Sequence, residues 1–245
     1  TPDEILRQLA APAKPATKVG GQGIAFLFAG QGAEYEGMAR RLYEARPVFR
    51  EAMERCNEIA RGFTGHDFMA EVFRGSSRPI QETDFLQPCL FAIEYGLLEL
   101  WRSLGVTPAA VCGYSLGEFT AAHAAGIMSV EDCLRIICEA SIRIIEHRPQ
   151  GLMASVVAPI EKVRDVLARS DASAEIAADN SPWNVTLAGP EEVVRRAIAS
   201  LAAAGIVCQE LPIRSGFHSS SVDALIPLFR KVASETRFSA MQIPF

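Results

Sequence analysis

The chain has 245 residues, of which 49% are hydrophobic and 22% charged, and its formal net charge is −5. This much apolar surface builds a sizeable core and excludes intrinsic disorder, whereas no apolar run reaches the roughly 18 residues that a membrane-spanning helix needs. The acidic balance disfavours nucleic-acid binding, which depends on neutralising phosphates. The six cysteines fit neither a zinc ribbon nor a disulfide framework, and no signal-peptide pattern is present, so the sequence predicts reduced thiols in a cytoplasmic protein.

The first 150 residues alternate apolar strands with helices, and this alternation predicts an α/β unit. A short helix over 2–10 and a linker rich in proline and glycine are predicted within residues 1–23. The run IAFLFA predicts a strand buried on both faces, because parallel strands covered on two sides read as unbroken apolar runs. The elements predicted after the linker are a strand at 24–29, a helix at 36–60 broken near Pro47, a helix at 88–104, a strand at 109–112, a helix ending near 125 and a helix at 131–147.

In residues 151–213 the predicted strands and helices follow a different order, which predicts a compact inserted subdomain. Their patterns are, in chain order, strand, helix, strand, strand, helix and strand, which is the order of the ferredoxin-like split motif. After this insertion the chain returns to the larger unit. The sequence therefore predicts a large α/β subdomain over 24–150 and 214–245, carrying a small ferredoxin-like subdomain over 151–213.

The segment Gly113–Gly117 fits the G-x-S-x-G pattern of a nucleophile elbow, with a predicted strand before it and a predicted helix after it. The glycines permit a sharp turn. Ser115 then lies at a helix N-terminus, where free N–H groups and the helix dipole favour a developing negative charge. Ser115 is therefore the candidate nucleophile. The alternative is a tight turn in which Ser115 only caps the helix.

A serine nucleophile needs a base, and the chain has four histidines. His147 lies at a predicted helix C-terminus, where a surface cation is stable, and His66 lies in a glycine-flanked loop without a partner signal. His123 lies on the helix that follows Ser115 and points away from the elbow. His218 follows the inserted subdomain in a loop with small neighbours, which makes it the best candidate for the base.

Several segments carry a family resemblance. In chain order they are GQGAE at 30–34, TDFLQP at 83–88, the stretch 99–132 that contains GYSLGE, ADNSPWNVTLAGP at 178–190 and GFHSSSVD at 216–223. Together they resemble the malonyl-CoA:acyl-carrier-protein transacylases, and above all the acyltransferase domains of polyketide synthases. The resemblance runs from about residue 24 to the end. It implies an α/β-hydrolase-like large subdomain with a parallel sheet and an inserted ferredoxin-like small subdomain.

The resemblance also implies roles for individual residues. Ser115 would attack an acyl thioester, and His218 would take its proton. The backbone N–H groups of Gln31 and Leu116 would form the oxyanion hole. The positions that match the family's substrate pocket are Gln87, Tyr114, Ala140, Asn180 and Phe217. For Gln87 and Asn180, ordinary turn and hydrogen-bonding chemistry is the alternative interpretation.

The chain departs from the family pattern at two places. Family members that use malonyl groups carry an arginine on the long helix after the elbow, and the aligned residue here is Ala140. Losing that guanidinium leaves a carboxylate without its counter-charge, a loss of about 2–5 kcal/mol, and this predicts selection of apolar acyl groups. Arg143, one turn further, is an alternative source of the guanidinium, and drift without acyl selectivity is the other interpretation. The family also continues past Phe245, so another part of the protein completes the large subdomain or His218 is less well held.

The sequence thus predicts an acyltransferase that moves a non-malonyl acyl group through an acyl-serine to the phosphopantetheine thiol of an acyl carrier protein. Two alternatives stay open: an acyl-thioester hydrolase, and a catalytically silent docking module. No permanent cofactor or metal is expected; acyl-CoA or acyl-phosphopantetheine is the expected substrate. The expected partners are the carrier protein and other polyketide synthase modules, with no nucleic acid and no membrane. The candidate basic residues for the carrier are Arg195, Arg196, Arg214, Arg230 and Lys231.

Overall fold

The computed structural model of the chain describes residues 23–32, 34–35, 37–74, 83–147, 151–170, 172–213 and 215–245. The predicted helix at 2–10 and nearly all of the predicted linker lie outside the described residues. The chain divides into two compact units: the first ends at Ile142 and resumes over Leu228–Phe245, and the second is Arg143–Pro227. The segment around His218 therefore groups with the second unit, whereas the sequence analysis assigned residues 214–245 to the first.

Strands and helices alternate along the described chain, and this alternation confirms the predicted α/β class. In chain order the elements are β1 (Ala25–Phe28), α1 (Arg40–Ala45), α2 (Pro47–Thr64), α3 (Phe68–Arg74), α4 (Thr83–Ser103), β2 (Ala110–Gly113), α5 (Gly117–Ala124), α6 (Val130–His147), β3 (Leu152–Val157), α7 (Ile160–Ala168), β4 (Glu175–Ser181), β5 (Asn184–Gly189), α8 (Glu191–Ala203), β6 (Val207–Glu210), a 3₁₀ helix (Ser220–Leu225) and α9 (Ile226–Ser234).

The first unit contains a parallel pair of strands, β1 and β2, with Ala25 opposite Ala110. Side chains alternate between the two faces of a strand, and Phe28 and Val111 point into a core that also contains residues of α4 and α5. The opposite face of β1 carries Leu27, which is 79% exposed. The prediction that the first strand is buried on both faces is therefore wrong. An unbroken apolar run does not by itself distinguish a strand that is covered on one face from one that is covered on two.

Two prolines show to what extent the local sequence determines where the helices of this unit begin. Pro47 is the first residue of α2, where a missing N–H breaks no hydrogen bond, and it separates α2 from α1 as predicted. Pro88 instead lies inside α4, which begins at Thr83, ahead of the predicted start. Phe85 and Leu86 are at most 3% exposed. Their burial contributes about 3–6 kcal/mol against a cost of about 3 kcal/mol for an interior proline, so tertiary packing extends the helix.

The second unit is built on an antiparallel sheet with strand order β4-β5-β3-β6. Its core contains Val156 and Leu187 from the sheet together with Val163 of α7 and Leu201 of α8, all 0% exposed. The β-α-β-β-α-β order predicted for residues 151–213 is the order observed. Local hydrophobic patterns were sufficient here because each element is short and amphipathic.

The six cysteines, all within the described residues, form no disulfide bond. Cys56, Cys89, Cys133 and Cys138 are buried, and burial raises the pKa of each thiol, which keeps it protonated and unreactive. Cys112 differs because it is exposed. Within the described part of the chain, the helices are too short or too polar to cross a membrane.

Candidate active site

Ser115 lies in the turn that joins β2 to α5. The strand ends at Gly113, the helix begins at Gly117, and Ser115 has a φ of 53°, in the left-handed region. A non-glycine residue there carries about 1–3 kcal/mol of backbone strain, and such strain clusters at functional sites. Among the described residues other than glycine, only Ala39, Ser115 and His218 have a positive φ. Backbone strain therefore falls on both predicted catalytic residues.

The glycines of the motif are required by close backbone contacts. A Cβ added to Gly113 would lie 2.3 Å from the Cα of Glu118, and one added to Gly117 would lie 2.3 Å from the carbonyl oxygen of Phe28. Both neighbours are backbone atoms, which cannot swing away as a side chain can. The spacing of the motif thus lets α5 begin directly against the end of β1, and the predicted strand–turn–helix context is confirmed.

We expect Gly117→Ala to lower the free energy of unfolding by about 3 kcal/mol, because the new methyl group would force α5 away from β1. Gly62→Ala is the matched control, since a Cβ at Gly62 meets no heavy atom within 4 Å and the residue lies in the helix α2. Removing a helical glycine there is expected to stabilise the protein by up to about 1 kcal/mol. Urea unfolding of both variants measures the difference. An unchanged free energy for Gly117→Ala would contradict the close contact.

The GQG loop lies beside the elbow. A Cβ added to Gly30 would lie 3.3 Å from the Cβ of Ser115. Gln31 follows Gly30 directly, and Leu116 follows Ser115 directly. The structure therefore brings together the two segments whose backbone N–H groups the resemblance assigns to the oxyanion hole.

A chain of side-chain hydrogen bonds joins the GQG loop to the long helix α6. The Ser141 hydroxyl donates to Oε1 of Gln87 over 2.9 Å, and Nε2 of Gln87 donates to Oε1 of Gln31 over 3.0 Å. Ser141 is 0% exposed, and Ala140 beside it is 7% exposed. Gln87 thus holds the side chain of Gln31. Ala140 directly precedes Ser141, which belongs to the same hydrogen-bond network.

The sequence analysis missed Glu94, which lies on α4. Its Oε2 accepts a hydrogen bond of 2.7 Å from the hydroxyl of Thr120, and its carboxyl group also accepts one from the backbone N–H of Ala29. Burial raises the pKa of Glu94 to about 7, although both hydrogen bonds act in the opposite direction. The signal that could have identified it is a single carboxyl group inside the apolar helical run LFAIEYGLL.

His218 lies in the second unit, in a turn between β6 and the 3₁₀ helix. The residue is exposed and its φ is 59°. Before it, the chain is packed closely, since a Cβ added to Gly151 would lie 2.3 Å from the backbone nitrogen of Gly216. After it, the backbone N–H and the hydroxyl of Ser220 donate to the Glu175 carboxylate over 3.0 and 2.5 Å. Two anchors therefore hold the strained turn of His218 within its own unit.

The other histidines have the surroundings that the sequence predicts for structural residues. Nδ1 of His123 lies 3.1 Å from the carbonyl oxygen of Met128, and burial lowers the pKa of this imidazole. Nδ1 of His147 lies 2.9 Å from the carbonyl oxygen of Arg143 in the last turn of α6. His66 is exposed beyond the end of α2.

Three residues assigned to the pocket from the resemblance have mixed surroundings. Tyr114 precedes the nucleophile and is 49% exposed. Phe217 is half-buried beside His218 in sequence. Nδ2 of Asn180 donates to Oδ1 of Asn184 over 2.8 Å and to Oγ1 of Thr186 over 2.9 Å. Hydrogen bonding within the β4–β5 hairpin, the alternative interpretation of Asn180, therefore accounts for these contacts.

The basic residues singled out from the sequence are partly neutralised. The guanidinium of Arg143 lies 2.6 Å from the Glu146 carboxylate, which disfavours it as a replacement for the missing arginine. Arg195 forms ion pairs with Glu191 at 3.0 Å and Glu210 at 2.6 Å, which weakens its candidacy within the basic patch formed by the five basic residues predicted to bind the carrier protein. The remaining members of that patch are Arg196, Arg230 and Lys231, which are exposed, and Arg214, which lies outside the described residues.

The predicted site residues divide between the two units. The first unit contains Gln31, Gln87, Tyr114, Ser115, Leu116 and Ala140, and the second contains Asn180, Phe217 and His218. Among the residues that the structure describes, no group of histidine, cysteine and carboxylate side chains could hold a metal ion. The first unit thus presents a strained serine beside the GQG loop.

Comparisons with known proteins find acyltransferase domains. The family described as "Acyl transferase domain" matches residues 25–244. Erythronolide synthase EryA2 of Saccharopolyspora erythraea is 38% identical over 222 residues, which cover 90% of this chain and 6% of that protein. The chain spans only 4% to 15% of the curated polyketide synthases among its first matches.

Two solved structures have the same fold. The acyltransferase domain from the second module of the salinomycin polyketide synthase is 37% identical with a TM-score of 0.82, and the match covers 98% of this chain and 57% of that one. A loading acyltransferase from the avermectin modular polyketide synthase is 31% identical with a TM-score of 0.84, and the match covers 91% of this chain and 72% of that one.

Proposed function

The chain belongs to the acyl transferase domain family, and we propose that it moves a monocarboxylic, non-malonyl acyl group from an acyl thioester to the phosphopantetheine thiol of an acyl carrier protein. The donor is acyl-CoA or acyl-phosphopantetheine, and the acyl group passes through an ester on Ser115. The observation that carries the proposal is the elbow, because it holds Ser115 in a strained turn at the start of α5 beside the GQG loop.

The proposed reaction has two balanced halves. Ser115 Oγ attacks the thioester carbonyl while the imidazole of His218 takes the hydroxyl proton. The tetrahedral intermediate collapses, the C–S bond breaks, and the leaving thiolate receives the proton from His218. In the second half the carrier's thiol gives its proton to His218 and attacks the ester, and Ser115 leaves with that proton. The sequence of steps consumes no oxidant or reductant, and the energy of the donor thioester is retained in the product thioester.

The backbone N–H groups of Gln31 and Leu116 stabilise the oxyanion in each half of this reaction. Loss of one such donor typically costs about 10²–10³ in rate. The Ser141–Gln87–Gln31 hydrogen bonds support this assignment, because they hold the GQG loop by its side chain. Preorganised donors need no rearrangement when the charge develops.

Ala140 supports the selection of a monocarboxylic acyl group. The resemblance assigns to this position the arginine that pairs with the free carboxylate of malonyl, and the methyl group found here is 7% exposed. Placing a carboxylate beside it without a counter-charge is unfavourable by about 2–5 kcal/mol. Arg143 is paired with Glu146, so we expect acetyl or longer apolar groups to be used.

The carrier protein and the pathway are also part of the proposal. The chain spans a small fraction of the polyketide synthases that it resembles, and those proteins are the basis for expecting a carrier protein as partner. One solved relative is a loading acyltransferase, which agrees with a starter-unit role for a non-malonyl group.

Acceptor dependence tests the proposed transfer. We expect a carrier protein or pantetheine thiol to raise the rate of acyl-CoA consumption at least about tenfold over hydrolysis, because thiol attack on the acyl-serine outcompetes water at a shielded ester. The measurement is release of CoA and of free acid, with and without acceptor, from acetyl-, butyryl- and malonyl-CoA. The control is the same mixture without protein.

Two outcomes would contradict the proposal. Rapid release of free acid that is indifferent to the acceptor would identify an acyl-thioester hydrolase. Failure of Ser115 to become acylated by any acyl-CoA, seen by intact-protein mass, would identify a catalytically silent docking module.

A further inference from the structure

Glu94 is a half-buried carboxyl group beside the apolar core of the first unit. It lies on α4 between Ile93 and Tyr95, which are 4% and 5% exposed. Its carboxyl group accepts a hydrogen bond of 2.7 Å from Oγ1 of Thr120 and another from the backbone N–H of Ala29. Withdrawing a carboxyl group from water is costly unless its oxygens are hydrogen-bonded, and these two donors each supply a hydrogen bond.

The two donors belong to the two segments that carry the proposed oxyanion hole. Ala29 lies at the end of β1, directly before the GQG loop that contains Gln31. Thr120 lies one helical turn after Leu116, on α5. A single carboxyl group, on the separate helix α4, therefore bonds both to the residue before the GQG loop and to α5.

Backbone hydrogen bonds also join these segments: β1 pairs with β2, and the backbone N–H of Tyr114 donates to the carbonyl oxygen of Phe28 over 2.9 Å. Gly117 of α5 packs against the carbonyl oxygen of Phe28, and Gly30 packs against Ser115. The backbone bonds oppose separation where β1 meets the elbow, whereas the glycine contacts only set a closest approach. The Glu94 carboxyl group adds a second hydrogen-bonded restraint, between Ala29 and α5.

The protonation state of Glu94 changes the strength of this restraint. Burial raises its pKa to about 7, and no charged side chain of the described residues is among the causes of the shift. Hydrogen bonds to an ionised carboxylate are roughly twice as strong as those to a neutral group. The two bonds are therefore stronger above pH 7, where the carboxyl group is ionised, and weaker below it.

We propose that Glu94 is a positioning residue of the oxyanion hole: by bonding to Ala29 and Thr120 it sets the spacing between the backbone N–H groups of Gln31 and Leu116. This inference rests on the proposed acyl-serine chemistry. Glu94 acts through the two segments and does not touch the acyl group.

The test compares Glu94→Gln, Glu94→Ala and Thr120→Val with Glu99→Gln, a matched control on the same helix. Glutamine keeps the shape and one acceptor oxygen, alanine removes both bonds, and valine removes the hydroxyl with little change of shape. The rate constant of Ser115 acylation and the KM for acyl-CoA are measured in single-turnover reactions from pH 5.5 to 8.5. Hydrogen–deuterium exchange of the amide of Ala29 is measured without substrate.

The expected result is a loss in the rate constant of at least about tenfold for Glu94→Ala, with KM changed less than about twofold. The ratio of wild-type to Glu94→Gln rates cancels the titration of the base. We expect this ratio to be near one below pH 6 and to rise about three- to tenfold above pH 7.5. Ala29 should exchange at least about tenfold faster in Glu94→Ala than in Glu94→Gln, and Glu99→Gln should match the wild type throughout.

The inference is overturned if Glu94→Ala acylates Ser115 at the wild-type rate, or if the rate ratio is flat or falls with pH. Glu94→Gln and Thr120→Val keep the test decisive if Glu94→Ala does not fold. If the wild type itself does not acylate, the proposed function fails, and amide exchange at Ala29 still shows whether Glu94 restrains the loop.

Discussion

Ser115→Ala is expected to abolish formation of the acyl-enzyme, with a loss of at least about 10⁴-fold in the acylation rate. The substitution removes the only atom that bonds to the acyl group in the proposed reaction. Alanine at this position keeps the left-handed backbone and its strain, so the fold is expected to be retained. Intact-protein mass after incubation with a panel of acyl-CoAs measures the adduct directly, and its absence in the variant is the expected result.

Ser103→Ala is a matched control for this experiment, because its exposed hydroxyl donates to the carbonyl oxygen of Leu100 in the same helix. The control should acquire the same acyl mass as the wild type. An adduct of unchanged yield on Ser115→Ala would show that another nucleophile carries the acyl group. Digestion and mapping of the adduct would then locate it, with the exposed Cys112 as the first residue to inspect.

The elbow was predictable from the sequence because its determinants are local. The strand β2, the two glycines and the start of α5 follow one another along the chain, and the glycines are fixed by atoms of the same turn or of the neighbouring strand. The β-α-β-β-α-β order of the second unit was predictable for the same reason. Hydrophobic period and turn residues act within about ten residues, and the turn of the elbow and most single elements of the second unit are that short.

The features that sequence analysis missed depend on contacts between distant segments. In the sequence, Glu94 is a single acidic residue within an apolar helix. Its contacts with Ala29 and Thr120 exist only in the folded chain and could not be predicted. The exposure of Leu27 likewise depends on which helices pack against β1, and the local sequence pattern does not predict that packing. The extension of α4 to Thr83 depends on burial of side chains that precede a proline.

The position of His218 shows the limit of the resemblance. Motif matching assigns it as the base, and its left-handed φ agrees with a constrained role. Its anchors, however, are particular to the folded second unit, since the Glu175 carboxylate that binds Ser220 lies on β4, far away in sequence. Residue types identify candidates, whereas the fold determines how firmly each one is held.

Ala140→Arg is expected to change the acyl preference of the protein. A guanidinium at this position would supply the counter-charge that a malonyl carboxylate lacks, and a bidentate pair of this kind contributes about 2 kcal/mol or more. We therefore expect the ratio of malonyl to acetyl transfer to rise at least about 30-fold. Competing malonyl- and acetyl-CoA in one reaction, with intact-protein mass as the readout, measures that ratio without reference to absolute rates.

Ala140→Met separates charge from volume, because it fills the same space without a counter-charge. It should lower the use of longer acyl groups and leave malonyl disfavoured, whereas Ala140→Arg should favour malonyl and disfavour apolar groups of every length. If Ala140→Arg still loads acetyl but shows no gain for malonyl, the residue does not face the acyl group. Other residues would then determine the acyl selectivity. The position of Ala140 next to Ser141, which bonds to Gln87 and through it to Gln31, would be only a consequence of how α6 packs.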